Sequence, residues 1–147
     1  MMNNKLSHKC VLILIEDSED EVELLKLLIK NEKINVEILE FFDGEKAYEH
    51  LSKLQPSRND NVNYFVVLDL NLPGMNGREI LQQLRKHKNN SVLHIIIFSG
   101  STNPLDKTQC LSVGAKSYYT KPWDFNGYKQ FIKGPFLKEL QQACPNI

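Results

Sequence analysis

Five polar side chains that can bind metal or phosphate follow apolar segments of this 147-residue chain. They are Glu16, Asp17, Asp69, Ser99 and Lys121. Three carboxylates held close together repel one another, and a hard divalent cation such as Mg²⁺ removes that repulsion by taking their oxygens as ligands. A lysine at such a site can hold a phosphoryl group as a point charge, and a serine hydroxyl can donate a hydrogen bond to it. The set therefore indicates phosphoryl chemistry at a metal site.

Asp69 is the candidate nucleophile, because it ends the most prominent apolar segment of the chain, residues 64–68. An aspartate can accept a phosphoryl group as an aspartyl phosphate. That transfer needs positioning and neutralisation of charge on the phosphoryl oxygens, which a metal ion and a lysine supply. The backbone carbonyl of Asn71, two residues further on, is the natural additional metal ligand.

Strands and helices must alternate along the chain to position these side chains. Apolar runs predict strands near residues 10–15, 36–42, 64–68, 92–98 and 115–120. Helical patterns and caps predict helices near residues 19–31, 45–54, 77–87, 104–113 and 124–143. Such alternation is typical of a parallel sheet with helices on both faces, whose strands end at one common edge. Within the last helix, Gly134-Pro135 predicts an end or a kink.

Composition and cysteine usage restrict the class of protein. Eighteen basic residues balance eighteen acidic ones, which argues against broad electrostatic binding to nucleic acid or to an anionic membrane. No segment has the length and apolarity of a signal peptide or a membrane span, so we expect a cytoplasmic protein. Cys10, Cys110 and Cys144 are far apart and lack metal-ligand spacing, which predicts reduced thiols in the core.

The motifs together resemble the receiver domain of two-component response regulators. They are Glu16-Asp17, the segment 68–74 around Asp69, Asn76-Gly77, Ser99 and Lys121-Pro122. The resemblance covers residues 10–143 as one domain, between a flexible N-terminal arm of residues 1–9 and a C-terminal tail of residues 144–147. It implies a doubly wound α/β fold, in which five parallel strands lie in the flavodoxin-like order 2-1-3-4-5.

The same resemblance implies a role for each site residue. The acid pair after the first strand would bind Mg²⁺, and Asp69 would be the phosphoacceptor. Ser99 and Lys121 would sense the phosphoryl group. Tyr118, three residues before the lysine, would be the switch aromatic residue that turns inward upon phosphorylation.

Further similarity narrows the family while two positions depart from its usual pattern. The segment 69–80, the long loop predicted for residues 55–63 and the C-terminal helix are similar to single-domain receivers that partner phytochrome-type histidine kinases. Glu16 stands where aspartate is commoner, so its carboxylate reaches the metal on a longer arm. Gly100 stands where alanine usually follows the hydroxyl residue, which widens access to the phosphoryl group.

The resemblance implies a single-domain signalling switch in a phosphorelay, rather than an enzyme that acts on a substrate. A histidine kinase would supply the phosphoryl group. Because the fold uses the whole sequence, output would be protein binding, including a homodimer, through a surface that runs from Pro104 to the last helix. Phe125, Phe131 and Phe136 could serve the core or this surface, with the core favoured. Trp123 is expected to pack near the site.

Two alternatives stay open. The chain could be a receiver-like module that binds partners without ever being phosphorylated. It could also be a metal-dependent phosphatase with an aspartyl nucleophile. Phosphatases of that class carry the nucleophile after the first strand and a second acid two residues later, whereas Asn71 stands at that offset from Asp69.

Overall fold

A five-stranded parallel sheet forms the centre of the computed structural model, which describes residues 9–54, 62–87 and 93–145. The strands are β1 (Lys9–Ile15), β2 (Glu37–Phe41), β3 (Val62–Leu68), β4 (Leu93–Ser99) and β5 (Ser117–Thr120). They lie in the order β2-β1-β3-β4-β5, and every neighbouring pair is parallel. The predicted fold class and strand order are confirmed.

Helices cover both faces of this sheet. They are α1 (Glu19–Asn31), α2 (Gly44–Ser52), α3 (Gly77–Arg85), α4 (Pro104–Ser112), α5 (Phe125–Phe131) and α6 (Leu137–Ala143). Helices α2, α3 and α4 contribute to the core on one face, and α1 and the C-terminal helices to the core on the other. Along β1, Ile13 and Ile15 face the first core while Leu12 and Leu14 face the second. A strand covered on both faces needs apolar residues at successive positions, which explains the continuous apolar runs.

Side-chain caps fix where several of the helices begin. Ser18 accepts a hydrogen bond from the N–H of Glu21 at the start of α1, and Asp43 accepts one from Lys46 at the start of α2. Such caps satisfy N–H groups that have no partner within the helix. They place the starts of α1 and α2 shortly after the ends of β1 and β2.

The sequence predicts that Pro135 ends or kinks the helix at Gly134, whereas the structure has a π-helical segment there. The helical backbone runs on from α5 through a π-helical segment, Ile132–Phe136, into α6. A proline lacks the N–H that an α-helix requires and its ring crowds the preceding turn. The wider π-helical turn accommodates the ring without ending the helix. Ile132 and Phe136 remain buried against the sheet.

The prediction of three reduced core thiols is wrong for two of them. Cys10 and Cys144 form a disulfide, with an S–S distance of 2.06 Å. The end of α6 lies beside the start of β1, so two cysteines 134 positions apart in sequence become neighbours. Cys110 alone agrees with the prediction, because it is free and buried. Burial raises the pKa of this thiol to about 11.

The folded part extends slightly beyond the predicted limits. Lys9 already belongs to β1, and Cys144 is buried. β3 begins at Val62, so the loop predicted for residues 55–63 ends before residue 62. Residues 55–61 lie outside the described part of the chain. The rest of the predicted arm, residues 1–8, also lies outside it. Within the three described segments, no helix has the length and apolarity needed to cross a bilayer.

Candidate functional site

The carboxyl ends of the strands bring the predicted side chains to one edge of the sheet. The backbone N–H of Asp69 donates to the carbonyl of Ile15 at 3.0 Å, and that of Lys121 donates to the carbonyl of Ser99 at 2.8 Å. These bonds continue the strand pairing by one residue beyond β3 and β5. The backbone beneath Asp69 and Lys121 is therefore held by the sheet rather than by a loop alone.

Glu16, Asp17 and Asp69 form a carboxylate cluster in a cleft of about 500 Å³. One carboxylate oxygen from each lies within 4.8 Å of the others. Glu16 and Asp69 are buried, whereas Asp17 is exposed and leaves the cluster open to solvent. Three hard oxygen donors at this spacing suit a divalent cation of the magnesium or manganese kind. The predicted metal-binding acids thus lie together, and their chemistry fits such a cation.

Lys121 inserts its ammonium group among the acids. Its Nζ atom lies 2.6 Å from Glu16 Oε2 and 3.3 Å from Asp69 Oδ2. The closest carboxylate oxygen is that of Glu21, at 2.5 Å. The lysine side chain is only 15% exposed, so these contacts form largely out of water. Buried charges are stable only when paired and hydrogen-bonded, and one ammonium group here serves three carboxylates.

These contacts shift the pKa values of the groups in the cleft. Burial raises the pKa of Glu16 to about 9, a hydrogen bond with Glu21 adds to the rise, and Lys121 opposes it. Burial would also raise the pKa of Glu21, but hydrogen bonds with Glu16, Lys121 and Tyr128 lower it overall. Burial disfavours the charge on Lys121, yet its hydrogen bonds to Glu16 and Glu21 raise its pKa. A cation bound beside Glu16 would oppose the rise of its pKa, because a nearby positive charge favours the ionised carboxylate.

The loop after Asp69 is held tightly beneath the carboxylate. The N–H of Asn71 lies 3.4 Å from Asp69 Oδ1, and Asn71 is exposed and lines the cleft. At the start of α3, Gly77 donates its N–H to the carbonyl of Leu70 at 3.1 Å. A Cβ atom on Gly77 would lie 2.5 Å from the carbonyl oxygen of Asp69, which only glycine avoids. The Asn76-Gly77 motif therefore lets α3 pack directly onto the backbone of Asp69.

Ser99 and Tyr118 both form hydrogen bonds with the backbone of Ser101. Ser99 is fully buried at the end of β4, and its Oγ accepts a hydrogen bond from the N–H of Ser101 at 3.2 Å. The Tyr118 hydroxyl donates to the carbonyl of Ser101 at 3.4 Å. Tyr118 is half-buried, and burial raises its pKa. The predicted hydroxyl and the predicted switch aromatic residue are thus linked by the loop that leads into α4.

Asp106 of α4 joins that loop to α3, which the sequence reading did not detect. It is buried, forms an ion pair with Arg78, and accepts a hydrogen bond from the Ser101 hydroxyl. Arg78 Nε donates to Asp106 Oδ1 at 3.0 Å. Hydrogen bonds from Ser101 and Arg78 hold the pKa of Asp106 below its ordinary value. A lone aspartate in the first turn of a weakly amphipathic helix resembles an ordinary capping acid, so sequence gave no signal.

Glu21 and Tyr128 are the second pair that the sequence reading missed. Glu21 follows Ser18 by three positions, where an acid suits the dipole of α1, and this ordinary role concealed its contact with Lys121. The Tyr128 hydroxyl donates to Glu21 Oε1 at 2.6 Å. The signal would have been the three adjacent acids at the start of α1, since one of them had to face the site.

The aromatic residues after Lys121 divide differently from the prediction. Trp123 was expected to pack near the site, but its side chain is fully exposed. It belongs to the turn between β5 and α5, where no neighbouring helix covers it. Phe131 and Phe136 are buried in the core as favoured, whereas Phe125 is 53% exposed.

Comparison with known proteins decides the family. The model of the response regulator receiver domain matches residues 12–133. The chain belongs to this family. The regions that carry the acid cluster, Ser99 and Lys121 all fall within the match.

Two curated relatives differ in how much of their own length this chain matches. The response regulator Rcp1 of Synechocystis sp. is 24% identical over 133 residues, which span 90% of each chain. The response regulator ArlR of Staphylococcus saprophyticus is 30% identical over 136 residues, which span 92% of this receiver but 56% of ArlR. The chain thus matches about half of the length of ArlR and nearly the full length of Rcp1.

Solved structures agree with this assignment. The match to the phosphorylated cyanobacterial phytochrome response regulator RcpA has a TM-score of 0.78 and 25% sequence identity, and it covers 93% of this receiver and 97% of the RcpA chain. The match to the Mn²⁺-bound form of Rcp1 has a TM-score of 0.72 and 24% sequence identity, and it covers 84% of this receiver and 89% of the Rcp1 chain. The resemblance to single-domain phytochrome response regulators is confirmed at the level of these neighbours.

Proposed function

We propose that this receiver accepts a phosphoryl group on Asp69 and signals through the resulting change in conformation. The observation that carries the proposal is the position of Asp69, whose carboxylate lies 3.3 Å from the Lys121 ammonium and beside two further acids. An acceptor needs such an arrangement, because negative charge accumulates on the phosphoryl oxygens during transfer. Membership in the receiver family supports the same role.

In the proposed reaction, one Asp69 carboxylate oxygen attacks the phosphorus atom of the donor. A bond from Asp69 to phosphorus forms, while the bond from phosphorus to the donor breaks and its electron pair leaves with the donor. Glu16, Asp17 and Asp69 would hold Mg²⁺, together with the backbone carbonyl of Asn71. When bound, this ion supplies positive charge next to the phosphoryl oxygens. Lys121 supplies a second positive charge, and Ser99 a hydroxyl donor.

The decisive experiment is incubation with acetyl phosphate and Mg²⁺, followed by intact-mass measurement. We expect the wild type to gain the mass of one phosphoryl group, in an adduct that hydroxylamine removes. Asp69→Asn should gain none, and a chelator should prevent labelling of the wild type. The matched control is Glu19→Gln, which removes an exposed acid from the first turn of α1, outside the residues that line the cleft, and should label normally.

An unlabelled wild type would refute the proposal and favour the phosphorylation-independent binding module. Undiminished labelling of Asp69→Asn would place the acceptor elsewhere. Steady release of inorganic phosphate from small phosphate esters would favour the phosphatase alternative. We propose instead that the protein catalyses only its own phosphorylation and dephosphorylation, because Asn71 occupies the position of the phosphatases' second acid.

The proposed phosphodonor is a histidine kinase, and specifically one of the phytochrome type. RcpA, described as a phytochrome response regulator, supports this choice through its similarity over nearly the whole chain. A phytochrome-type kinase phosphorylated on its histidine should transfer its label to this receiver faster than a kinase of another type does. Equal transfer rates would remove the phytochrome-type assignment while leaving the acceptor role intact.

Output would pass through protein binding at the surface formed by α4, β5 and α5. Leu105 of α4 is 62% exposed. Trp123 and Phe125, which follow Lys121 closely in the sequence, are also exposed. Ser99, Ser101 and Tyr118 connect that surface to the site. Size-exclusion chromatography with light scattering, with and without a phosphoryl mimic, tests whether the partner is a second copy. An unchanged mass would leave a different protein as the partner.

We also propose a cytoplasmic location, with residues 10–143 as the receiver domain. The location rests on the proposed role in a phosphorelay with a histidine kinase. The Cys10–Cys144 disulfide is the observation that argues the other way, since disulfides persist in oxidising compartments. Alkylation of the protein in freshly lysed cells, before and after reduction, would show which state the two cysteines have in the cell.

A further inference from the structure

The Glu21 carboxylate uses both of its oxygens to connect two elements across the site. Oε2 accepts a hydrogen bond from Lys121 Nζ at 2.5 Å, and Oε1 accepts one from the Tyr128 hydroxyl at 2.6 Å. The Tyr128 ring is held in turn by edge-to-face contact with Phe98, with ring centroids 5.8 Å apart. Glu21 is therefore fixed from two sides, and only 12% of its side chain is exposed.

The local sequence would direct this side chain elsewhere. In a Ser-x-x-Glu capping box, the glutamate at the third helical position reaches back to the N–H of the capping serine. Here Ser18 caps the N–H of Glu21, but the N–H of Ser18 donates to Glu16 Oε1 at 3.1 Å instead. Glu16 thus takes over half of the capping box. Glu21 is left free to turn toward Lys121.

This arrangement decides which groups the Lys121 ammonium contacts. Its ammonium lies closer to Glu21 and Glu16 than to Asp69, the proposed acceptor. A cation held by Glu16 would engage that carboxylate, whereas Glu21 is outside the carboxylate cluster and would keep its contact with the lysine. An ammonium bound to Glu21 has fewer hydrogen-bond donors available for an incoming phosphoryl group.

We propose that Glu21 is a positioning residue that restrains Lys121, with Tyr128 orienting it, and thereby slows phosphorylation of Asp69. This inference deepens the proposed function and rests on it. The reaction remains the transfer described above, in which the bond to phosphorus from Asp69 forms as the bond to the leaving group breaks. Glu21 does not touch the reacting atoms and acts only through the lysine.

The first test measures the lysine directly and needs neither metal nor phosphoryl donor. Trace acetylation of the metal-free protein, read by peptide mass spectrometry, compares Lys121 with the exposed Lys107 as an internal reference. In Glu21→Gln the relative labelling of Lys121 should rise roughly fivefold, because the ammonium loses its closest carboxylate partner. Tyr128→Phe keeps the carboxylate but removes its orienting hydroxyl, so we expect a smaller rise. Glu19→Gln, which removes an exposed acid of the same helical turn, should leave the labelling unchanged.

The second test measures the rate of phosphorylation by acetyl phosphate at saturating Mg²⁺. Glu21→Gln should react roughly threefold to tenfold faster than the wild type, since a freed ammonium stabilises the charge of the transferring group. Glu19→Gln removes the same charge from the same turn of α1, at an exposed position outside the residues that line the cleft, so it reports the effect of net charge and should react at the rate of the wild type. Thermal melts of all variants establish that each is folded, and Tyr128→Phe replaces Glu21→Gln if the latter is not.

Unchanged labelling of Lys121 in both Glu21→Gln and Tyr128→Phe would overturn the inference. So would a phosphorylation rate in Glu21→Gln equal to or below that of Glu19→Gln. Failure of the proposed function gives a different result, in which no variant and not even the wild type takes up a phosphoryl group. The acetylation test then still decides whether Glu21 holds Lys121.

Discussion

Helices α1 and α4 both follow strands that end at the site, yet different forces hold them to the sheet. Helix α1 buries four apolar side chains, Val22, Leu25, Leu28 and Ile29. Helix α4 buries only Asp106 and Cys110 and leaves Leu105 and Leu111 exposed. One helix is fixed mainly by apolar packing, and the other mainly by an ion pair and hydrogen bonds.

This difference divides the site into two sides. On the α1 side stand the acids and the Glu21–Lys121 contact, where the helix carrying Glu21 cannot move without exposing apolar surface to water. On the α4 side stand Ser99, Ser101 and Tyr118, whose polar contacts can be exchanged for contacts with water at little net cost. We therefore expect the α4 side to move upon phosphorylation and the α1 side to remain in place.

The largest expected effect comes from removing apolar packing on each side. Leu25→Ala should lower the free energy of unfolding by about 3 kcal/mol, because it leaves a cavity beneath α1. Leu105→Ala, the same substitution at an exposed position of α4, should change it by less than about 0.5 kcal/mol. Urea unfolding followed by circular dichroism measures both values. Similar losses for the two variants would remove the distinction between the helices.

A smaller effect is expected from the polar contacts of α4. Asp106→Asn removes the charge that Arg78 and Ser101 contact, and should lower the free energy of unfolding by about 1–2 kcal/mol. Hydrogen exchange should become faster in α4 while α1 stays protected. Asp20→Asn, at an exposed position of α1, serves as the control. If exchange in α1 accelerated equally, α4 could not be regarded as a separately held element.

The smallest effect should appear in the pH dependence. The pKa of Asp106 is lowered from its ordinary value of 3.8 by Ser101 and Arg78. A carboxylate with a lowered pKa stabilises the fold above the unfolded pKa, and this contribution is lost as pH falls through the folded value. The difference in stability between wild type and Asp106→Asn should therefore be constant near pH 7 and shrink below about pH 4. Urea midpoints at a series of acid pH values test this, and a constant difference would contradict it.

The fold and the acid cluster could be predicted because each rests on a local pattern. Uninterrupted apolar runs followed by helical patterns lead to a parallel sheet, and the sheet then brings Glu16, Asp69 and Lys121 to a common edge. The residue that ends each strand is visible in the sequence. Its neighbours in space follow from strand order, which came from the family resemblance.

The remaining features depend on side-chain directions that no local pattern carries. Glu21 and Asp106 look like ordinary acids in first helical turns, and only the packed structure shows which charge each one meets. Pro135 reads as a helix breaker, because tolerance of its ring depends on a π-helical turn. The pairing of Cys10 with Cys144 follows from the placement of α6 beside β1, 134 positions away in sequence.

That disulfide also has a mechanical consequence. It closes the chain from Cys10 to Cys144 into a covalent ring, with the two Cα atoms 5.8 Å apart. A pulling force applied at residues 9 and 145 would pass through the sulfur atoms, and the strands of the sheet would carry almost none of it. In a single-molecule stretching experiment, the intact disulfide would prevent residues 10–144 of the oxidised domain from extending. Adding a thiol reductant would release the whole length of the ring at once.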